Sequence, residues 1–263
     1  MSRLHNKCVV VTGASGGIGK EIAKQAAEQG ARVVLLARNT DKLEELRNEL
    51  NSQYGDVAYS YTLDVSDMKK IVEVFTEIYA NVGEIDVLVN NAGYGTFKEV
   101  DETDTDEIQA MFRVNVIGLM ACTKMVVPAM KRRKSGHIIN VASMAGKIAT
   151  PKSTLYSSTK FAVIGYSNAL RLELLRDGIH VTTVNPGPIA TNFFDIADEG
   201  GTYVKNIEKF ILQPEYVANK IVSAMLTKKR EINLPRFMNA ISKIHTLFPN
   251  TVETLGKNAF FKK

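Results

Sequence analysis

The chain has 263 residues, 45% of them hydrophobic and 23% charged, with a net charge of +5, which fits one globular unit large enough to bury a full core. Its apolar runs, such as Cys8 to Val11, are short and broken by charges, and no apolar leader precedes Cys8. The sequence therefore predicts a cytoplasmic protein without a membrane-spanning segment.

In chain order, strands are expected near 8–12, 32–36, 57–62, 86–90, 137–142, 180–184 and 231–234. Helices are expected near 17–29, 41–52, 67–80, 104–131, 155–177 and 214–228. Short β-branched runs alternating with amphipathic stretches predict a doubly wound (Rossmann-type) α/β fold, with a seven-stranded parallel sheet and helices on both faces. Such a sheet places a nucleotide site at the carboxyl ends of its first strands. The chain reads as a single domain over 1–263. Its core is 5–235, with a substrate loop at 187–213 and a short helical tail at 236–263.

Cys8 and Cys122 fall in apolar segments and read as reduced, buried small hydrophobes. His5, His137, His180 and His245 are scattered without metal-ligand spacing, so no metal is expected. The basic run Lys131 to Lys134 ends a predicted helix, where cations offset the helix dipole, and no nucleic-acid motif accompanies it.

Between the first strand and the first helix, Thr12-Gly13-Ala14-Ser15-Gly16-Gly17-Ile18-Gly19 lets backbone amides approach a pyrophosphate at a helix start. A tight turn using glycine for positive φ explains the same residues taken alone. Further along, Leu63-Asp64-Val65 follows the third strand, Asn90-Asn91-Ala92-Gly93 ends the fourth, and Pro186-Gly187 ends the sixth. Tyr156 and Lys160 share one face of a helix. The pairing makes chemical sense, because a phenol of pKa about 10 needs a nearby cation to work near neutrality. Ser143 ends the fifth strand at the crevice over the carboxyl edge. Asn115 is a poor residue for a helix interior, which points to a hydrogen-bonding duty. A strand-end turn for Ser143 and a satisfied helix contact for Asn115 are the bland accounts.

With these motifs in register, residues 5 to about 235 resemble the short-chain dehydrogenase/reductase family, in its single-domain branch with T-G-x-x-x-G-x-G and Y-x-x-x-K motifs. The resemblance implies an oxidoreductase that moves hydride between a nicotinamide and a carbonyl or secondary alcohol. Tyr156 would be the acid/base, Lys160 its cationic partner, Ser143 the donor to the carbonyl, and Asn115 the fourth member, holding a water that connects Lys160 to solvent. Lys160 would also bond the nicotinamide ribose. It further implies that Gly13, Ser15, Gly16, Gly17, Ile18 and Gly19 cradle the phosphates. Asp64 would bond the adenine amine and Val65 flank the ring, while Asn91, with Ala92 and Gly93, lines the adenosine pocket. Ile189 and Thr191, after Pro186-Gly187, would hold the carboxamide. Asp64 also fits a helix start capped by Ser66.

Cofactor choice rests on Ala37-Arg38, because the family's NAD users tend to carry Asp at position 37. Arg38 can pair with a 2′-phosphate, so NADP is expected over NAD, a solvated surface Arg38 being the alternative. The loop position where many NADP-dependent members carry a second basic residue is Gly16. Met144, Ile148, Tyr94, Phe97, Phe193, Phe194 and Tyr203 suggest an apolar pocket and a lipophilic substrate. A non-catalytic NADP-sensing regulator on the same fold is the alternative function, and a sugar-nucleotide epimerase or dehydratase is a further one. The apolar stretch Met120 to Met130 resembles the family's helix-pair interface and implies a homodimer or homotetramer.

In the tail, Phe237, Ile241, Ile244 and Phe248 recur at helical spacing beside Arg236 and Lys243. After Pro249, Val252, Leu255, Ala259 and Phe260 continue the pattern with Lys257, Lys262 and Lys263. These pieces are expected to pack on the body or a partner subunit, or to rest weakly on a membrane surface.

Overall fold

A computed structural model of the chain describes residues 2–191, 193 and 210–260. Most of the expected substrate loop, with Phe194 and Tyr203, lies outside the described residues, as do Lys262 and Lys263. The strands are β1 (Cys8–Thr12), β2 (Arg32–Ala37), β3 (Ala58–Thr62), β4 (Val87–Asn90), β5 (Gly136–Val141), β6 (Ile179–Pro186) and β7 (Glu231–Leu234). They form one seven-stranded sheet in the order β3-β2-β1-β4-β5-β6-β7, with every pairing parallel. The order reverses between β1 and β4, and in such sheets that reversal is where a crevice opens above the carboxyl ends.

The helices are α1 (Gly17–Glu28), α2 (Thr40–Tyr54), α3 (Met68–Asn81), α4 (Thr105–Phe112), α5 (Leu119–Arg133), α6 (Thr154–Glu173), α7 (Pro214–Ala224), α8 (Arg236–Leu247) and α9 (Pro249–Phe260). The whole of β1 is buried because both sheet faces are covered. Val9 and Val11 join the core with Ile22 and Ala26 of α1, Leu43 of α2 and Val217 of α7. Cys8 and Val10 point the other way, into Phe75 of α3, Cys122 and Val126 of α5, and Leu170 of α6. Burial pushes the thiols of Cys8 and Cys122 up to about 12, so both behave as small hydrophobes.

Three expectations need correction. The helix foreseen over 104–131 is interrupted by a π-helical turn at Arg113–Gly118, between α4 and α5. The N-cap of α3 is Asp67, whose carboxylate accepts from the amides of Lys69 and Lys70, and not Ser66. The helical span Thr105–Arg133 has 29 residues and contains an 18-residue stretch of mean hydropathy 1.5, enough by length and composition alone to cross a membrane, contrary to the expectation from sequence. Here it covers the sheet. Cys122, Val126 and Met130 are spent on the molecule's own core, so the Met120 to Met130 stretch faces largely inward.

His137 on β5 is fully buried. Its Nε2 meets Thr182 Oγ1 at 2.8 Å, and its Nδ1 accepts from the Leu226 amide at 2.8 Å. Burial, followed by the nearby His180, pushes its pKa down from 6.5 to about 3. Between those values the unfolded chain binds a proton that the folded chain refuses. Stability is therefore fully present above about pH 6.5 and falls by about 1.4 kcal/mol per pH unit as pH drops towards 3. Urea unfolding at pH 7 and pH 5 should show about 2 kcal/mol more acid loss for the wild type than for His137→Gln. Equal losses would show that His137 does not govern acid stability.

Candidate active site

The crevice is tied together at Thr12, the polar residue that ends the apolar β1. Its Oγ1 accepts from the amides of Asn91 and Ala92, each at 3.0 Å. Asn91 answers by donating from Nδ2 to the carbonyls of Thr12 and Gly13, at 3.0 and 3.2 Å. The loops after β1 and β4 are thereby locked side by side. Gly13 and Gly17 have φ of +69° and +52°, which L side chains rarely adopt. A Cβ on Gly19 would collide with the Gly13 carbonyl oxygen.

Gly16 precedes α1 without a side-chain cap, so the first-turn amides of Gly17, Ile18 and Gly19 present the helix's positive end to the crevice. Ser15 is half-buried, and the space around Gly16 is open. This cradle fits a pyrophosphate. On one side of it, Asp64 accepts from the Ser66 amide at 2.8 Å, and the Val65 carbonyl lies where a Cβ on Gly118 would stand. Arg38, just past β2 and the buried Ala37, is exposed and forms no ion pair with a described carboxylate. Its charge reaches Tyr94, whose pKa is raised mainly by burial and by Glu107 and is drawn back by Arg38. On the other side, the Gly187 amide after Pro186 donates to the Leu234 carbonyl at 2.6 Å, Ile189 bridges to Leu212, and the Thr191 methyl stands over Gly17.

The second half of the crevice is built by β5, the π-turn and α6. Lys160 is almost wholly buried, and its Nζ donates to the Val141 carbonyl at 3.1 Å and lies 5.6 Å from the centre of the Tyr156 ring. Burial pushes the Lys160 pKa down to about 8. A methyl added to Gly93 would sit 3.0 Å from Asn115 Oδ1 and 3.6 Å from Lys160 Nζ, so these groups converge on Gly93. Ser143 ends β5 in extended conformation, with its Oγ accepting from the Ala145 amide at 3.1 Å and donating to the Pro186 carbonyl at 3.4 Å.

The π-turn aims Asn115 inward. Its Oδ1 accepts from the Tyr94 amide at 3.0 Å, and its Nδ2 donates to the Tyr94 carbonyl at 2.7 Å and to Thr159 Oγ1 at 3.1 Å. The structure thus brings Asn115, Ser143, Tyr156 and Lys160 to one end of the sheet, beside the phosphate cradle. A half-buried phenol next to a buried cation, with a serine hydroxyl at the adjoining strand end, can carry a proton to and from a carbonyl oxygen.

A profile of the short chain dehydrogenase family matches residues 7–200, which include both halves of this crevice. The chain belongs to that family. Among its relatives, the NADP-dependent 3-hydroxy acid dehydrogenase of Schizosaccharomyces pombe is 37% identical over 240 residues, covering 88% of this chain and 91% of that protein. A short-chain dehydrogenase from Streptomyces avermitilis superposes with a TM-score of 0.82 at 29% identity, over 97% of each chain. An alcohol dehydrogenase from the archaeon Thermococcus sibiricus, in complex with 5-hydroxy-NADP, superposes with a TM-score of 0.79 at 29% identity, over 88% of this chain and 96% of that one.

Around this short-chain dehydrogenase's Tyr156, Phe97 stands edge-on at 6.3 Å and Phe193 lies tilted at 5.5 Å. Met144 is 3% exposed, so its side chain belongs more to the core than to an open pocket wall. Two contributors escape a reading by motif, namely Thr159 and Gly95, while Thr12 opens the glycine motif but its tie to Asn91 and Ala92 is visible only in the structure. Thr159 could have been found as the hydroxyl between Tyr156 and Lys160. Gly95 has no sequence signal beyond being glycine. A Cβ there would come within 2.6 Å of Tyr156 Cδ2 and 3.0 Å of Phe193 Cζ. Gly95→Ala should therefore tilt the phenol and lower kcat/KM about ten- to a hundred-fold with little change in melting temperature. Wild-type turnover in that variant would show that the ring's position is not critical.

Proposed function

We propose that the chain is an NADP-dependent oxidoreductase acting on a carbonyl or secondary alcohol, and that the substrate is lipophilic. The observation that carries this is Tyr156, held 5.6 Å from buried Lys160 at the same sheet edge as a phosphate cradle. When bound, NADPH would supply the hydride. Ser143 orients and polarises the carbonyl through its hydroxyl, Tyr156 delivers the proton to the oxygen, and Lys160 stabilises the resulting phenolate and would hold the nicotinamide ribose. Asn115 fixes the Tyr94 backbone and holds the water that links Lys160 to solvent. Arg38 takes the 2′-phosphate, in keeping with the named cofactor specificity of the fission-yeast relative and the dinucleotide in the archaeal complex.

Phe97, Phe193 and Tyr94 support an apolar substrate, and the fold's crevice suits a small molecule better than a nucleic acid. The enzyme works in the cytoplasm as a homodimer or homotetramer. Exposed Ile108 on α4, Ile117 in the π-turn and Phe161 on α6 support pairing of these helices between copies. The test is NADPH and NADH consumption against a panel of aliphatic, aromatic and steroidal ketones, aldehydes and quinones. Turnover with a lipophilic carbonyl and a preference for NADPH are expected. Binding of NADPH without turnover of any class would leave the non-catalytic regulator standing.

A further inference from the structure

Helix α8 is amphipathic with its faces reversed. Ser242 is buried, and Met238, Asn239 and His245 are half-buried on the same side. That inward face seats on β7 and on the short helical turn Met144–Gly146, bordering an open pocket of about 290 Å³ lined in part by Lys147, Glu231 and Ser242. Facing out are Phe237, Ile241, Ile244 and Phe248, which are 46%, 42%, 52% and 60% exposed and lie at i, i+4, i+7 and i+11, one continuous stripe. Helix α9 packs on α8, and neither Ile244 nor Phe248 is covered by it. A helix that buries a serine and exposes four large apolar side chains fits an environment that is itself apolar on the outside.

The stripe also has a place, and the segment of sequence that carries it has a charge. Phe237 meets Phe210, where the described chain resumes after the substrate segment, with ring centres 5.5 Å apart. Next to it, a Cβ on Gly187 would lie 3.0 Å from Met238 Sδ, so α8 borders the nicotinamide side of the crevice. In sequence, residues 236–263 hold Arg236, Lys243, Lys257, Lys262 and Lys263 against the single acid Glu253. This segment therefore carries all but one of the chain's five net positive charges.

We infer that the α8 stripe is a docking face for an anionic lipid surface, which seats the mouth of the crevice against the bilayer so that a lipid-dissolved carbonyl compound enters from the membrane. The inference rests on the proposed oxidoreductase reading for its substrate. Two effects act together: the apolar stripe enters the headgroup boundary, and the cations of the tail are drawn to anionic lipid. Neither is strong alone, so binding is reversible and weakened by salt.

The test uses the full-length protein, with sedimentation of phosphatidylglycerol vesicles and of phosphatidylcholine vesicles at low and high salt. Binding to the anionic vesicles is expected, with a marked loss at high salt and little binding to phosphatidylcholine. The exposed double variant Ile244→Glu/Phe248→Glu should bind at least about ten-fold more weakly. Its turnover of a water-soluble ketone, measured alongside, should stay within about two-fold of wild type because neither residue touches the site. Absence of wild-type binding to anionic vesicles at low salt, or unchanged binding by the variant, overturns the inference. Should the substitutions instead split a dimer seen by light scattering while no vesicle binding occurs, a second copy covers the stripe. The soluble-ketone assay tests the oxidoreductase reading separately, since docking can fail while turnover persists.

Discussion

Replacing Tyr156 by Phe should lower turnover about a thousand-fold while leaving NADPH affinity within a few-fold of wild type. The substitution removes one hydroxyl and keeps the ring, so the edge contact with Phe97 and the tilted contact with Phe193 survive. The neighbouring Lys160 keeps its bond to the Val141 carbonyl. What disappears is the transferable proton, and about a thousand-fold corresponds to about 4 kcal/mol of transition-state stabilisation. The alternative proton source is Lys160, but its Nζ is buried and committed to Val141, and Asn115 and Ser143 do not titrate near neutrality. Steady-state rates with saturating NADPH, together with NADPH binding by fluorescence, separate chemistry from affinity. A variant that turned over within ten-fold of wild type would remove Tyr156 from the acid/base role.

The fold was readable because its signals are local and repeated. Val9-Val10-Val11 reads as a strand covered on both faces, and the same chain direction recurs in every later strand because a helix intervenes each time. The phosphate cradle was readable for a similar reason: Gly13, Gly17 and Gly19 each meet a backbone requirement that other residues would violate. Periodicity is blind to a change of helix type. Apolar spacing runs smoothly through 104–131, and the π-turn that swings Asn115 inward leaves no trace in it. Only the low helix propensity of asparagine marked the spot. The capping residue lies one position beyond the one expected because Ser66 and Asp67 are both good caps, and the choice is made by where the chain leaves the Asp64 turn.

The parts that could not be read from the sequence depend on contacts between distant segments. Gly95 matters through the space it leaves for Tyr156, sixty-one positions further along the chain, and Thr159 through its reach to Asn115. The tail is the sharpest case. Its apolar period was plain in the sequence, but the period alone cannot say whether the stripe faces the body or solvent. Burial of Ser242 opposite Ile244 and Phe248 decides that it faces out.

Changing Arg38 to Asp should turn cofactor preference from NADPH towards NADH, moving the ratio of the two kcat/KM values by about a hundred-fold. Arg38 stands exposed at the end of β2, in no ion pair with a described carboxylate, so its guanidinium is not already spent within the body. A bidentate contact to a 2′-phosphate is worth about 3 kcal/mol where water is excluded, and exposure here cuts that figure. The substituted carboxylate adds repulsion against the phosphate, while for NADH it offers acceptors to the ribose hydroxyls. These two effects push the ratio the same way, which keeps the expected shift near a hundred-fold after the screening discount. The open space at Gly16 makes the outcome more decisive, since no second basic residue in the glycine loop stands ready to hold the phosphate. The neutral change Arg38→Ala should lie between the two, losing the attraction without adding repulsion. A ratio unmoved in Arg38→Asp would place phosphate recognition on other residues, and a loss of both cofactors equally would mean that Arg38 shapes the adenosine pocket and not its specificity.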